Sequence, residues 1–331
     1  MIKPFRTVAL IGAPQSGKTT LLSALTRHLA SKGGAEFQSV EALTKEADAD
    51  PRHITFALVA TRAGRLEFID AGGSGGTAAE LEALNQADVA LVVHSVQREG
   101  LEALSSRLQA ARQLGVGWTC VYLVDPDGRG PASVEGADGC VRAASASEES
   151  SFEPLLAALG AGPRPMLDVD GPFFMKVSSL QSLQGSQVLT GTCARGRVGV
   201  GQDVEIPGLG TFPVMGVLAY GKMTDAGHAG QELGVVLRRF KPSDKTVGAV
   251  LMAPGSVPLR TSASFELLQA SGPTPSATAR LVTRQAVLSL KGLEAQGSRV
   301  TATWSEPLPV AAGAGGVLHD GSRMWPARGV A

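Results

Sequence analysis

Gly12-Ala13-Pro14-Gln15-Ser16-Gly17-Lys18-Thr19 fits the pattern G-x-x-x-x-G-K-[ST] at every fixed position. Before it, Thr7-Val8-Ala9-Leu10-Ile11 reads as a buried strand; after it, Leu21, Leu22, Leu25 and Leu29 recur at helical spacing. Strand, glycine turn and helix together predict a phosphate-binding loop. The residue types follow from the chemistry. Glycines let backbone N–H groups curl round a phosphate, a lysine reaches the outer phosphate oxygens, and a hydroxyl serves Mg²⁺. Gly12, Gln15, Ser16, Gly17, Lys18, Thr19 and Thr20 are therefore the candidate phosphate-loop residues, with Thr19 a candidate metal ligand.

The rest of the chain sets the bounds. A length of 331 residues predicts two or three domains. Thirty Lys and Arg balance thirty Asp and Glu, so the overall basic excess of a nucleic-acid binder is absent and any RNA contact must be local. Three scattered cysteines, Cys120, Cys140 and Cys193, suit a reducing compartment better than a disulfide framework. No apolar run has the ~18 residues of a membrane span, and the apolar run before the loop is too short for a signal segment. A soluble, cytoplasmic monomer is expected.

Residues 1–165 alternate apolar runs with helical segments, the pattern of an α/β unit with a mostly parallel sheet. Strands are predicted at 7–11, 54–59, 65–69, 89–93 and 120–124, and helices at 18–30, 77–85, 99–114 and 148–159. Between the first helix and second strand, 31–52 reads as a mobile loop, and 130–149 carries no clear pattern. The Pro/Gly stretch at 160–165 reads as a linker. Short strands with turns then predict a small β-barrel over 171–257 and a reduced β-barrel over 258–331.

Three further residues suit a Mg²⁺-nucleotide site. Asp70-Ala71-Gly72-Gly73 ends a strand with D-x-x-G, where Asp70 would reach the metal and the Gly73 N–H a γ-phosphate. Thr55, across the predicted loop, offers a second hydroxyl to the metal.

With these residues in place, the chain resembles the elongation factor Tu class of translational GTPases, in which a phosphate-loop domain precedes two β-barrels. Phe174-Met175-Lys176-Val177, the run from Gly185 to Val198, Gly201-Gln202-Asp203-Val204-Glu205-Ile206, Gly227 to Val235 and Val247-Gly248-Ala249-Val250-Leu251 resemble the second domain's motifs. The likeness spans about 1–257 and is weak beyond. It implies a GTP or GDP site with Mg²⁺ held by Thr19, Thr55 and Asp70.

Three departures qualify that implication. The family's water-orienting histidine falls at Ser74, so slow hydrolysis is expected; His53 reads as a solvated loop residue. The guanine-reading N-K-x-D falls at Val124-Asp125-Pro126-Asp127, leaving Asp127 alone to meet the base, and Asp125-Pro126-Asp127-Gly128 also reads as a turn. Base selectivity is therefore expected to be shallow. Ser145-Ala146 matches the family's S-A pair, a dipeptide too common in this chain to carry weight. The stretches that meet tRNA are not found in 258–331, and Glu232 replaces an asparagine near the family's aminoacyl pocket, so the resemblance does not extend to tRNA delivery. Arg195, Arg197, Arg238, Arg239 and Lys241 read as solvated cations. The reading is an elongation-factor-Tu-like GTP/Mg²⁺-binding protein with weak or lost hydrolysis. Its alternative is a non-catalytic protein that uses the same frame to dock on the ribosome, an RNA or a protein.

Overall fold

The computed structural model describes residues 5–35, 37, 39–43, 55–60, 65–70, 76–163, 168–183, 186–219, 221–243, 246–268, 275–276, 279–283, 287–310, 314–321 and 323–330. The first unit is a six-stranded sheet built from β1 (Phe5–Ile11), β2 (Thr55–Ala60), β3 (Arg65–Asp70), β4 (Val89–Ser95), β5 (Trp118–Val124) and β6 (Gly139–Ala143). Their order is β2-β3-β1-β4-β5-β6; β2 runs antiparallel to β3 and every other pair is parallel. Helices α1 (Lys18–Ala30), α2 (Gly76–Gln86), α3 (Leu101–Gln113) and α4 (Phe152–Ala161) cover its faces.

Alternation along β1 shows why both faces must be covered. Val8 and Leu10 enter a core with Leu21, Leu22 and Leu25 of α1 and Phe152 and Leu155 of α4. Ala9 and Ile11 enter a second core with Leu81 and Leu84 of α2 and Leu104 and Leu108 of α3. A two-residue period with both sets apolar is the sign of a sheet buried on both faces. Arg6 fastens α4 to β1. Its guanidinium, itself buried, donates to the carbonyls of Leu159 (3.0 Å), Gly160 (3.3 Å) and Gly162 (2.6 Å) at the end of that helix, where unpaired carbonyls and the helix dipole favour a cation.

The next sheet closes into a six-strand barrel. Asp203–Ile206 pairs with both Gly210–Ala219 and Val250–Met252, completing the ring through Phe174–Lys176, Ser186–Arg195 and Glu232–Leu237. Its interior is filled by Met175, Val177, Leu189, Val204, Ile206, Val217, Leu233, Val235 and Leu251. Among the described residues the last sheet has seven strands and curls without closing. This layout of phosphate-loop unit, closed barrel and curled half-barrel is the one expected.

The details differ in places. A sixth strand, β6, lies in the stretch 130–149, and the last helix starts at Phe152 because Glu149–Ser151 forms a 3-10 turn first. Gly292–Gln296, Gly316–His319 and Met324–Gly329 are strands that were not predicted in the last segment. Gly292–Gln296 is mostly exposed, and Pro326 interrupts the pattern of Met324–Gly329. Val282 and Val317 of that sheet join the core under α2 and α3, so the half-barrel shares apolar packing with the first unit.

Arg6→Ala leaves the carbonyls of Leu159, Gly160 and Gly162 without this donor. It is expected to destabilise the protein by about 2–3 kcal/mol, the scale of a buried charge-assisted hydrogen bond, read as a lower midpoint in thermal unfolding.

Candidate phosphate and nucleotide site

The loop from Ile11 to Lys18 sits at the carboxyl end of β1 and the start of α1. Gly12 (φ +149°) and Gly17 (φ +102°) occupy backbone conformations that side chains rarely adopt. A Cβ at Gly12 would run into the Val93 carbonyl, and one at Gly17 would stand 2.8 Å from the Ala146 Cβ. The result is a concave turn at a helix N-terminus, where amides and dipole both suit an anion. Ser16 is buried and its Oγ has no hydrogen-bond partner among the described residues. Lys18 is folded back on the loop, its Nζ donating to the carbonyls of Gly12 (2.5 Å) and Ala13 (2.8 Å). Burial pulls this ammonium below the ordinary lysine value, while Glu80 and Asp70 act to hold its proton. Gln15 and Thr20 are exposed at the rim.

Beside the loop, Thr19 Oγ1 donates to Asp70 Oδ2 at 3.2 Å, bringing two of the three expected metal ligands together. Asp70 ends β3 and is buried. Thr55 opens β2, and the antiparallel register sets it opposite Asp70. His53, Gly73 and Ser74 lie outside the described residues.

A buried charge network, missed by sequence reasoning, underlies the loop. Glu80 of α2, only 5% exposed, accepts from the Gly12 N–H at 2.9 Å through Oε1. Its Oε2 accepts from Arg107 Nε at 3.2 Å, and Arg107 Nη1 donates to both oxygens of Glu99 (3.1 and 2.9 Å). His94, 1% exposed at the end of β4, places Nδ1 3.6 Å from Glu99 Oε2. Burial works to raise the Glu99 carboxyl, but His94 and Arg107 outweigh it and hold it below the usual carboxylate range. Burial likewise works against the Arg107 charge, and the two glutamates more than offset it. A signal was present in the sequence: Glu80 stands three, four and seven residues before Ala83, Leu84 and Ala87, on the helix face those residues bury.

The segment expected to meet a base is organised otherwise than N-K-x-D. Asp125 is 4% exposed and turned under its own loop, accepting from Arg129 N–H (3.0 Å) and Gly130 N–H (2.8 Å), with Arg142 Nε 3.6 Å away. The turn reading of Asp125-Pro126-Asp127-Gly128 is thus the correct one for Asp125. Asp127 is exposed and accepts from Gln97 Nε2 at 3.1 Å. The Ser145-Ala146 pair, given no weight in the sequence, lies against the phosphate loop. Tyr122 fixes it, donating to the Ser145 carbonyl (3.1 Å) and meeting Ser151 Oγ (2.6 Å). In the closed barrel Glu232 sits across from Thr192, and Arg197, Arg238, Arg239 and Lys241 are exposed, as expected of solvated cations.

Residues 7–120 match the family model of the 50S ribosome-binding GTPases. Across the whole molecule, the bacterial selenocysteine-specific elongation factor EF-Sec superposes with a TM-score of 0.70 and 17% identity, over 99% of this chain and 58% of that one. The chain has the fold of an elongation-factor-Tu-like translational GTPase. Translation elongation factor SelB from Methanococcus maripaludis, solved in complex with the GTP analogue GPPNHP, matches with a TM-score of 0.68 and 13% identity, over 100% of this chain and 80% of that one. This chain thus spans little more than half the length of EF-Sec. Among the described residues no helix is long and apolar enough to cross a membrane.

Glu80→Ala would leave the Gly12 N–H without its acceptor, while Arg107 keeps its contacts with Glu99. We expect a loss of about 1–3 kcal/mol, the scale for leaving a buried donor unsatisfied, in urea unfolding. Glu80→Gln, which keeps an acceptor for Gly12, is expected to lose less.

Proposed function

We propose that the protein is a Mg²⁺-dependent purine-nucleotide-binding protein of translation-factor architecture that binds GTP or GDP and hydrolyses the triphosphate slowly. The observation that carries this reading is the glycine cradle, which closes round a buried, unpartnered Ser16 hydroxyl beside the Thr19–Asp70 pair. That donor set suits phosphate together with a hard divalent cation. Mg²⁺ takes oxygen ligands and is ordinarily held by one or two protein groups together with phosphate and water. Thr19, Thr55 and Asp70 would hold the metal, which supplies charge neutralisation at the phosphates when bound.

The chain's own residues then divide the remaining work. Gly12, Gln15, Ser16, Gly17, Lys18, Thr19 and Thr20 line the phosphates, and Lys18 gives up its two loop carbonyls for phosphate oxygens. Gly73 senses the γ-phosphate. Asp127 remains as an acceptor for a base edge, with Asp125 withdrawn, so guanine is favoured only slightly over adenine. Ser74 is too short and too weak a base to orient an attacking water as a histidine would, a loss typically worth about 10²–10⁴ in rate. We take 1–165 as the nucleotide domain, and 171–257 and 258–331 as barrel domains that dock on the ribosome or an RNA without delivering tRNA. The family model matched by residues 7–120, that of the 50S ribosome-binding GTPases, covers the nucleotide domain and supports the ribosome as a partner of that domain.

Calorimetric titration with GTP, GDP and ATP, with and without Mg²⁺, tests the reading. Micromolar to millimolar binding that needs Mg²⁺ and is abolished in Lys18→Ala is the expected result. Absence of binding at millimolar nucleotide would leave the non-catalytic docking protein in its place. GTP and ATP should differ by far less than ~10⁴-fold, because a single polar partner discriminates by about 1–3 kcal/mol.

Turnover gives an independent check. Single-turnover hydrolysis by the native protein is expected to be slow, and Ser74→His should accelerate it at unchanged affinity. Fast hydrolysis by the native protein without a partner would refute the role given to Ser74.

A further inference from the structure

We propose that Arg98 covers the nucleobase, so that this site recognises a purine by stacking on its face more than by reading its edge; the inference rests on the nucleotide-binding reading above. A nucleoside whose phosphates lie on 12–19 must sit beyond the carboxyl ends of β1, β4, β5 and β6, the usual position of a ligand on an open α/β sheet. Three segments converge there: 96–100, 125–130 and 144–147. The first two are tied by the Val96 N–H donating to the Val124 carbonyl (3.1 Å), and the third packs Ala146 against Gly17.

The position that the resemblance gives to the lysine of N-K-x-D holds Asp125, and that carboxylate is committed to its own turn. Recruiting it would break two backbone hydrogen bonds and its contact with Arg142. The neighbouring segment fills the gap. Exposed Arg98 reaches across to the phosphate loop, its Nη1 donating to Gln15 Oε1 at 2.7 Å, while Gln97 Nε2 donates to Asp127 Oδ2 at 3.1 Å. Two consecutive residues thus link the phosphate loop to the one carboxylate left for a base. Gln15, at φ +62°, presents the acceptor that holds the guanidinium at the loop rim.

The chemistry favours a face contact. A guanidinium is planar, always charged and stacks on aromatic rings, and it keeps four further N–H donors after the bond to Gln15. Stacking of this kind tolerates a change of base because every base presents a π face. The ligand class is therefore a purine nucleoside polyphosphate with little regard to the groups on the ring edge.

The test compares wild type, Arg98→Ala and Arg98→Lys in the full chain, titrated with GTP, ATP and inorganic tripolyphosphate in Mg²⁺. Arg98→Ala is expected to weaken GTP and ATP alike by about tenfold, the range of a partly desolvated cation–π contact, and tripolyphosphate by less than about twofold. Arg98→Lys should recover part of the loss. Equal weakening of all three ligands would make Arg98 a phosphate ligand, weakening of GTP alone would make it an edge reader, and no change would leave it a partner of Gln15 only. Each of these results overturns the proposal while the nucleotide-binding reading stands. Wild-type protein that binds none of the three ligands defeats that reading itself, and with it this proposal.

Discussion

Between Ile11 and Lys18 the backbone must leave a buried strand and enter a helix while turning its amides inward, and only residues without a Cβ can stand at Gly12 and Gly17. That constraint fixes much else. With no side chain at Gly12, the chain can press against the Val93 carbonyl of β4, and the Gly12 N–H is left to a partner from outside the turn. With none at Gly17, the 144–147 segment can close over the start of α1. The backbone itself thus gives the cradle its shape, and sites shaped in this way gain affinity by preorganisation.

The partner of the Gly12 N–H makes α2 a junction. Along one eleven-residue helix, Glu80 meets the phosphate loop, Glu82 lies 3.9 Å from Lys176 of the closed barrel, and Asn85 donates to the Thr283 carbonyl of the half-barrel at 3.1 Å. Apolar packing supports the last contact, because Val282 and Val317 share the core of α2 and α3. The pair with Lys176 is half-buried and long, and adds less than these contacts. Glu80 near its middle and Asn85 near its carboxyl end thus tie the helix to the phosphate loop and to the half-barrel.

How much of this was legible depended on whether a feature is written in local pattern. The phosphate loop, the first five strands and the closed barrel carry alternation or fixed glycines and could be read directly. β6 could not, since its five residues include Gly139 and the exposed Arg142 at a sheet edge. The half-barrel hid strands behind Pro326 and behind the exposed run 292–296 for the same reason. In the site, Lys18, Thr19 and Asp70 stood out by spacing, whereas Arg107, Glu99 and His94 converge from α3, from the segment before it and from β4, and only tertiary structure brings them together. Asp125 was ambiguous between base loop and turn. Its carboxylate accepts from the N–H groups of Arg129 and Gly130, four and five residues on, and that local hydrogen bonding decided for the turn.

The central claim is that the cradle at 12–20 receives the phosphates and that the three neighbouring segments receive the rest of the nucleotide. Amide hydrogen exchange on the full chain, with and without saturating Mg²⁺ and GTP, tests it most directly. The account predicts the greatest slowing over 12–20, accompanied by 96–98, 125–130 and 144–147, with little change in the barrel strand Ser186–Arg195. Slowing confined to the barrels, with 12–20 exchanging as before, would contradict it.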